Sequence, residues 1–230
     1  MKLYALTNKI VLRAKNKAAE FLKAYATNAL DAPRSAFVNI RGQIVCVFDQ
    51  MFISQEKVLL VIEKQHFDRL LHHLDRYLKL GETVIEKAPE FHLYFDLEDS
   101  HEPQRGEIFV PQKKGKLIGT PSSLIPSVSE EEFTLFRLKN DIPVQGIDFD
   151  EELLLNVADE EFVSYTKGCY LGQEIIARVH HRSKPPKKLV VKALDRCVPD
   201  EKVRMTSKCL DPETGKMVGF VFVNNEQEKK

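Results

Sequence analysis

The stretch 165-YTKGCYLGQEIIARVHHR-182 carries a single cysteine between two glycines, directly before a run with helical character. Gly168 and Gly172 permit backbone conformations that other residues rarely adopt, so the turn around Cys169 can be tight or can let a ligand approach closely. If residues 173–181 form a helix, its free N–H groups point into this turn and lower the pKa of a nearby thiol. The residue types therefore indicate either a reactive thiolate or an inert cysteine in a tight turn.

A positive charge at Lys167 would favour the thiolate form of Cys169 further. A hydrolase nucleophile would also need a base within hydrogen-bond reach. The nearest histidines in the sequence, His180 and His181, fall at the far end of the predicted helix, on the order of 10 Å along its axis. The sequence therefore gives no reason to expect a catalytic dyad.

The composition is that of a folded protein of one or two domains. The chain has 230 residues, 43% of them hydrophobic, which is enough for a buried core. Its 34 basic residues balance 34 acidic ones, so no global charge attracts nucleic acid or an anionic membrane. Apolar runs are shorter than the ~20 residues that span a bilayer. We therefore expect no membrane partner and do not expect nucleic acid.

The four cysteines are single and scattered, at positions 46, 169, 197 and 209, without a C-x-x-C pair. A disulfide framework or a permanent metal cluster is therefore not expected, and a reducing compartment fits, either the cytoplasm or a matrix. Residues 1–19 contain five basic residues and no acid, as a transit peptide does. We favour a first strand over Leu3 to Leu12 and expect a cytoplasmic protein without a metal site.

Apolar periodicity predicts a mixture of helices and strands. Helices are predicted over residues 15–30, 65–81 and 130–140, and strands over 3–12, 36–53, 57–62, 82–87 and 91–97. The segment 36–53 reads as two strands around a turn at Arg41-Gly42. Residues 111–126 are rich in Pro, Gly and Ser, which is typical of a connector.

The end of the chain has a different pattern from the rest. Ser129 and Glu132 form a capping box that opens the helix over 130–140. After the proline-containing hinge 184-KPPKK-188, strands are predicted over 189–194, 203–207 and 217–223. The sequence therefore predicts an α+β protein with a small β module behind the hinge.

The segment 167-KGCYLGQE-174 resembles the K-G-C-Y-x-G-Q-E signature of the YgfZ family, folate-binding-type proteins linked to the maintenance of iron–sulfur proteins. This family is similar to the T-protein of the glycine cleavage system. Arg178 agrees with the family pattern, and 136-FRLKNDIPVQGIDFD-150 resembles the stretch R-I/L-E-x-G-I-P-x-x-G-x-D. Weaker resemblances lie in 20–29 and 40–48, and the end of the chain resembles a shortened version of the family's terminal barrel.

The resemblance implies two α/β lobes around a central cavity, with a shortened C-terminal β-barrel-like module. Residues 1–183 would form the folate-binding-type module. Its two interleaved lobes would be about 1–50 with 125–183, and 51–124. Residues 187–230 would form the small C-terminal module.

The resemblance also implies a working thiol at Cys169, assisted by Lys167. The residues that it assigns to cofactor binding are Gly168, Tyr170, Gly172, Gln173, Glu174, Arg178 and Arg137. Gln173 and Glu174 would line the cavity or, alternatively, cap the N–H groups of the turn. Arg137 would pair a folate carboxylate through its guanidinium fork or, equally well, form a salt bridge with Glu132 or Asp141.

Several positions depart from the family pattern. Lys139 stands where relatives carry a glutamate, Leu155-Asn156-Val157 replaces P-x-E, and Val47 stands where an aspartate is common. Paired N–H donors of a pteridine ring require carboxylate acceptors, which lysine cannot replace. Asp49 is the nearest remaining acid in the hairpin. We therefore expect weak tetrahydrofolate binding, with Glu174 as the main acceptor.

The family resemblance implies an accessory protein that supports the assembly or repair of iron–sulfur enzymes, with those enzymes or their assembly factors as partners. Transient contacts of Cys169 would carry this role rather than substrate turnover. Two alternatives remain open: a folate-dependent aminomethyl or one-carbon transferase like the T-protein, and a module that contacts RNA through the basic hinge 184–188.

Overall fold

The chain folds into short strands and helices that alternate along the sequence, and the computed structural model describes residues 1–102, 104–158, 161–182 and 184–225. The strands are β1 (Leu3–Ala5), β2 (Lys9–Lys15), β3 (Arg34–Val38), β4 (Ile44–Ser54), β5 (Lys57–Glu63), β6 (Val84–Lys87), β7 (His92–Asp96), β8 (Ile108–Pro111), β9 (Lys116–Thr120), β10 (Lys187–Ala193), β11 (Thr206–Asp211) and β12 (Lys216–Asn224). The helices are α1 (Ala18–Tyr25), α2 (Phe67–Leu80), α3 (Glu130–Lys139), α4 (Leu154–Val157), α5 (Gln173–Arg182) and α6 (Pro199–Arg204). This mixture confirms the α+β class.

A five-stranded antiparallel sheet, in the order β3-β4-β5-β2-β6, lies at the centre of the fold. The predicted hairpin is β3 and β4, and Gly42 in its turn has a φ of +72°. β5 is buried over nearly its whole length because both faces of the sheet are covered. Apolar side chains of α1 and α2 cover one face, and Val11, Leu59 and Val61 on the other pack against a second sheet.

The second sheet is antiparallel, with four strands in the order β1-β7-β9-β8. The predicted first strand over residues 3–12 is in fact two strands, because a turn at Thr7-Asn8 moves the chain from one sheet to the other. The predicted connector over 111–126 is wrong in part, since Lys116–Thr120 forms β9. Leu117 and Ile118 are consecutive and pack in two different apolar clusters, as expected when successive side chains of a strand point to opposite faces.

The C-terminal module is a three-stranded antiparallel sheet in the order β10-β12-β11. The predicted strand over 203–207 is wrong in part, because its first residues belong to α6. Pro199 starts this helix, and the Glu201 carboxylate accepts a hydrogen bond from the Val198 N–H at 3.1 Å. This local capping overrides the β preference of the sequence, and the strand begins only at Thr206.

A buried ion pair joins the C-terminal sheet to the rest of the protein. Arg137 Nη1 on α3 lies 2.8 Å from Asp148 Oδ2, and both side chains are almost fully buried. Thr206 and Ser207 at the start of β11 donate hydrogen bonds to Asp148 Oδ1, at 2.8 and 2.5 Å. Arg137 Nη2 donates to Ser207 Oγ at 2.9 Å. Helix α3, the loop after it and β11 therefore meet at one satisfied charge pair.

The observed elements also bear on the expected division of the chain. α3 begins at the predicted capping box, in which Ser129 and Glu132 bond to each other's backbone N–H groups. The expected boundary between residues 50 and 51 falls inside β4, so the division into interleaved lobes stays a prediction. In the described part of the chain, no helix combines the length and the apolar composition needed to cross a membrane.

Replacing Arg137 by methionine should destabilise the fold by about 3–5 kcal/mol, because Asp148 would stay buried without its counter-ion. Chemical denaturation monitored by circular dichroism measures this loss. The matched control is Lys79→Met, which removes an exposed helix pair with Asp75 and should cost under ~1 kcal/mol. Equal, small effects of both substitutions would contradict the proposed importance of the buried pair.

Candidate functional site

Cys169 is exposed at the tip of a turn that is fixed on both sides against the end of α1. The Ser164 N–H donates to the Thr27 carbonyl at 3.1 Å, and the Leu171 N–H donates to the Ala24 carbonyl at 3.2 Å. These two backbone bonds hold the segment before and after the cysteine. The thiol is therefore presented to solvent on a positioned loop rather than buried in a core.

Lys167 anchors the same turn from within. Its Nζ donates to the carbonyl oxygens of Ala26 at 2.6 Å and Asn28 at 3.0 Å, beyond the last turn of α1. It also lies 5.2 Å from the centre of the Tyr170 ring. Burial lowers the pKa of Lys167 to about 8. The ammonium thus holds the loop in place, and its predicted effect on the Cys169 thiol stays a prediction.

The two glycines of the turn have different roles. Gly172 has a φ of +82°, and a Cβ there would collide with the Asn39 carbonyl oxygen and the Val38 side chain at the end of β3. Gly168 has open space around it. Glycine is therefore required at position 172, where the turn packs against the hairpin.

Helix α5 begins at Gln173, as predicted, and its first turn is tied to the cysteine loop. Gln173 Oε1 accepts a hydrogen bond from the Tyr170 N–H at 3.4 Å, the capping arrangement that the sequence left open. Glu174 forms an exposed ion pair with Arg178 at 2.7 Å. At the far end of the helix, His180 stacks on Tyr165.

The other three cysteines are buried. Burial raises the pKa of the Cys46 thiol to about 12, and it also raises the pKa values of Cys197 and Cys209. These thiols are protonated at neutral pH and shielded from solvent. Cys169 is therefore the accessible thiol of the chain.

A cavity opens between the two large sheets, where the chain passes from β1 to β2. Its walls come from residues 6–9, from β4, from the end of β5, from α3 and from residues 142–147. Three aromatic rings contribute apolar faces, those of Tyr4, Phe95 and Phe133. Tyr4 and Phe133 stack with their centres 4.1 Å apart. The cavity lining is therefore largely apolar and partly aromatic.

Charged side chains form the polar part of this cavity. Lys9 Nζ lies 3.2 Å from Asp49 Oδ2 and 3.1 Å from Glu63 Oε1. Burial alone would lower the pKa of Lys9, but the carboxylates of Asp49 and Glu63 raise it overall. Burial alone would raise the pKa of Asp49, but Lys9 and Arg34 lower it overall. Lys9 and Asp49 are therefore both charged at neutral pH.

Asp49, the acid that the sequence left undecided, reaches the cavity and is held by several partners. Arg34 Nε lies 3.3 Å from its Oδ1, and Gln112 Nε2 donates to the same oxygen at 3.0 Å. Arg34 also pairs with Glu161 at 2.6 Å through Nη1. Asp49 is thus a buried residue whose carboxylate joins three side chains of the cavity wall.

Arg137 lines the cavity, but its guanidinium contacts Asp148, and not Glu132 or Asp141 as the sequence suggested. Lys139 points away from the cavity. Its Nζ pairs with Glu213 at 2.7 Å on the C-terminal module. A glutamate at position 139 would therefore face that module rather than the ligand space.

The candidate residues fall into two groups. Arg137 lies at the cavity, whereas the lining does not include the cysteine turn or the first turn of α5. Val47 lines the cavity, but Leu155-Asn156-Val157 does not. Sequence reasoning missed Lys9 and Glu63, which are directly opposite each other in the register of β2 and β5. Among the described residues, no group of three potential metal ligands converges.

We expect Cys169 to be alkylated first among the four cysteines, because the other thiols are buried and protonated. Iodoacetamide at neutral pH, followed by peptide mass spectrometry over time, measures the order of modification. Unfolding in denaturant should equalise the four rates, which controls for sequence effects. Faster modification of Cys46, Cys197 or Cys209 in the native protein would contradict this assignment.

Lys167→Met should loosen the cysteine turn, because the carbonyls of Ala26 and Asn28 would lose a charged donor. Hydrogen bonds to charged groups contribute about 1.5–3 kcal/mol, and we expect a loss of stability in this range. Hydrogen exchange should accelerate at Ser164 and Leu171. Lys23→Met, on the exposed side of α1, is the control and should change neither quantity. Unchanged exchange in Lys167→Met would show that the lysine does not anchor the turn.

Comparison with known proteins supports the resemblance seen in the sequence. No protein-family model matches the chain. An iron–sulfur cluster assembly factor IBA57 homolog, mitochondrial, from Mycosarcoma maydis is 36% identical over 63 residues, which are 26% of this chain and 16% of that protein. The mitochondrial iron–sulfur cluster assembly factor IBA57 of Mus musculus is 23% identical over 88% of this chain and 68% of its own length.

The fold has a solved counterpart. The crystal structure of the glycine cleavage system aminomethyltransferase T from Bartonella henselae matches with a TM-score of 0.63 over 97% of this chain and 78% of that chain. The sequences are only 14% identical, so this likeness concerns the fold alone. The signature motif, the curated relatives and the fold together support a YgfZ/T-protein-like family for this chain.

Proposed function

We propose that the protein is an accessory factor of iron–sulfur cluster assembly that acts through the exposed thiol of Cys169. The observation that carries this proposal is a solvent-accessible cysteine on a loop that is held from both sides. The names of the IBA57 relatives, which describe iron–sulfur cluster assembly factors, point to the same process.

The proposed action of Cys169 is transient. Iron–sulfur clusters are held by several cysteine thiolates, and this thiol is the accessible one among the described cysteines. The remaining ligands of a cluster would therefore come from a partner, either an assembly factor or the client enzyme. We propose that Cys169 contacts the cluster, or a thiol of the partner, during transfer or repair.

We also propose that the cavity binds a reduced folate. Its aromatic walls suit the flat pteridine ring, and its carboxylates suit the paired N–H donors of that ring. The wider architecture that we propose is two α/β lobes around this cavity, with the C-terminal sheet as a shortened β-barrel-like module. A bound folate would supply a carrier for one-carbon units.

The alternatives receive less support. The aminomethyltransferase shares the fold at 14% identity, which does not carry its activity over to this chain. In the basic hinge, Lys187 pairs with Glu152 at 2.8 Å and lies over the Phe222 ring, so this lysine is occupied within the protein. We therefore do not propose substrate turnover or RNA binding. We propose the cytoplasm as the compartment, and the free buried thiols fit any reducing compartment.

Deletion of the gene in its own host should lower the activity of iron–sulfur enzymes, measured in cell extracts. Wild-type protein should restore that activity, and Cys169→Ala should not, because the accessible thiol is lost. Cys197→Ala removes a buried thiol instead and serves as the control, with protein levels checked by immunoblotting. Full rescue by Cys169→Ala would overturn the proposed role of the thiol.

A further inference from the structure

We infer that Glu63 is the residue that recognises the ring of the cavity ligand, a flat heterocycle with paired N–H donors. This inference rests on the proposed folate-binding cavity. It assigns the recognition to a residue that neither the signature motif nor the missing acids of the family pattern indicate. Among the described residues, three carboxylates line the cavity, and that of Glu130 is exposed and accepts a hydrogen bond from the Tyr4 hydroxyl at 3.3 Å. Asp49 and Glu63 are the buried ones, and the argument depends on which of these two still has an oxygen available.

Both oxygens of Asp49 already face protein donors, whereas only one oxygen of Glu63 does. Asp49 Oδ1 accepts from Gln112 and faces Arg34, and Asp49 Oδ2 accepts from Lys9. The side chain is also almost fully buried. A ligand that bound Asp49 would have to displace one of these partners, which would leave a buried charge unpaired. Asp49 therefore holds the cavity wall together rather than reading a ligand.

Glu63 has a different set of contacts. It is the last residue of β5 and lines the cavity, and its Oε1 pairs with Lys9 at 3.1 Å. Within the described residues, Oε2 has no protein donor. Lys9 holds the carboxylate at the cavity wall. Each carboxylate oxygen can accept two hydrogen bonds, so Oε2 can accept one ring N–H while Oε1 accepts a second beside Lys9.

The net charge of the cluster favours the same type of ligand. Lys9 and Arg34 face the three carboxylates of Asp49, Glu63 and Glu161, so one negative charge remains uncompensated. Arg137, the third cation in the lining, is neutralised by Asp148. An N–H donor is therefore attracted to this part of the cavity, and an anionic group is repelled.

The aromatic walls select the shape of the ligand. Tyr4, Phe95 and Phe133 line the cavity that contains Glu63, and Tyr4 and Phe133 stack on each other. A flat ring can pack against this aromatic lining while its edge reaches the carboxylate. An amino-substituted pyrimidinone, the edge of a pterin, combines both properties. The rest of a folate, the p-aminobenzoyl-glutamate part, has no such pair of donors.

Isothermal calorimetry with three probes tests the assignment: 5-formyltetrahydrofolate, tetrahydropterin and p-aminobenzoyl-glutamate. Glu63→Gln should weaken both pterin-containing probes by about tenfold to a hundredfold, since the amide places an N–H opposite the ring donors. Binding of p-aminobenzoyl-glutamate should not change. As a control, Asp200→Asn changes an exposed carboxylate outside the cavity lining and should leave all affinities within about twofold.

Glu63→Asp provides a second variant in case Glu63→Gln does not fold. It keeps the charge that Lys9 requires but withdraws the carboxylate by one methylene, and it should also weaken the pterin-containing probes. Circular dichroism confirms the fold of each variant.

Wild-type affinity in both Glu63 variants would overturn the inference. A wild-type protein that binds none of the probes would overturn it as well. The proposed role of the Cys169 thiol in iron–sulfur cluster assembly would still stand in that case, because it does not depend on the cavity.

Discussion

The fold depends on one buried ion pair, Arg137 with Asp148. A charge in the interior is tolerated only if its partner and its hydrogen bonds are complete, and here Thr206 and Ser207 complete them. Arg137 lines the cavity, and the hydroxyls of Thr206 and Ser207 belong to the C-terminal sheet. The ion pair therefore fixes the position of this sheet relative to the cavity wall. Leu138, α4 and the C-terminal sheet also share one apolar core.

The hairpin of β3 and β4 connects the cysteine turn to the cavity. Near its turn, Val38 and Asn39 pack against Gly172 and so support the cysteine loop. Further along the same strands, Arg34 and Asp49 build the polar wall of the cavity. The thiol and the cavity are separate sites, but both are positioned by a single rigid element. One hairpin therefore supports the cysteine turn and also contributes side chains to the cavity wall.

Local signals in the sequence predicted the local features correctly. The capping box at Ser129 predicted the start of α3, and the apolar stripe predicted α2, because both patterns are complete within a few residues. Helix α5 after the cysteine turn was predicted for the same reason. The strand β9 was missed because its glycine and its flanking turn residues are also typical of connectors, and only pairing with β7 and β8 stabilises it.

The cavity charges could not be predicted, because they depend on strand register. Lys9 and Glu63 are far apart in the sequence and become partners only when β2 pairs with β5.

The ion pair of Arg137 and Asp148 has a consequence for truncated forms of the chain. A truncated protein that ends at the hinge would lose both hydroxyls that satisfy Asp148, and it would expose the apolar side of α4. The C-terminal sheet therefore supplies hydrogen bonds that a buried charge in the rest of the fold requires.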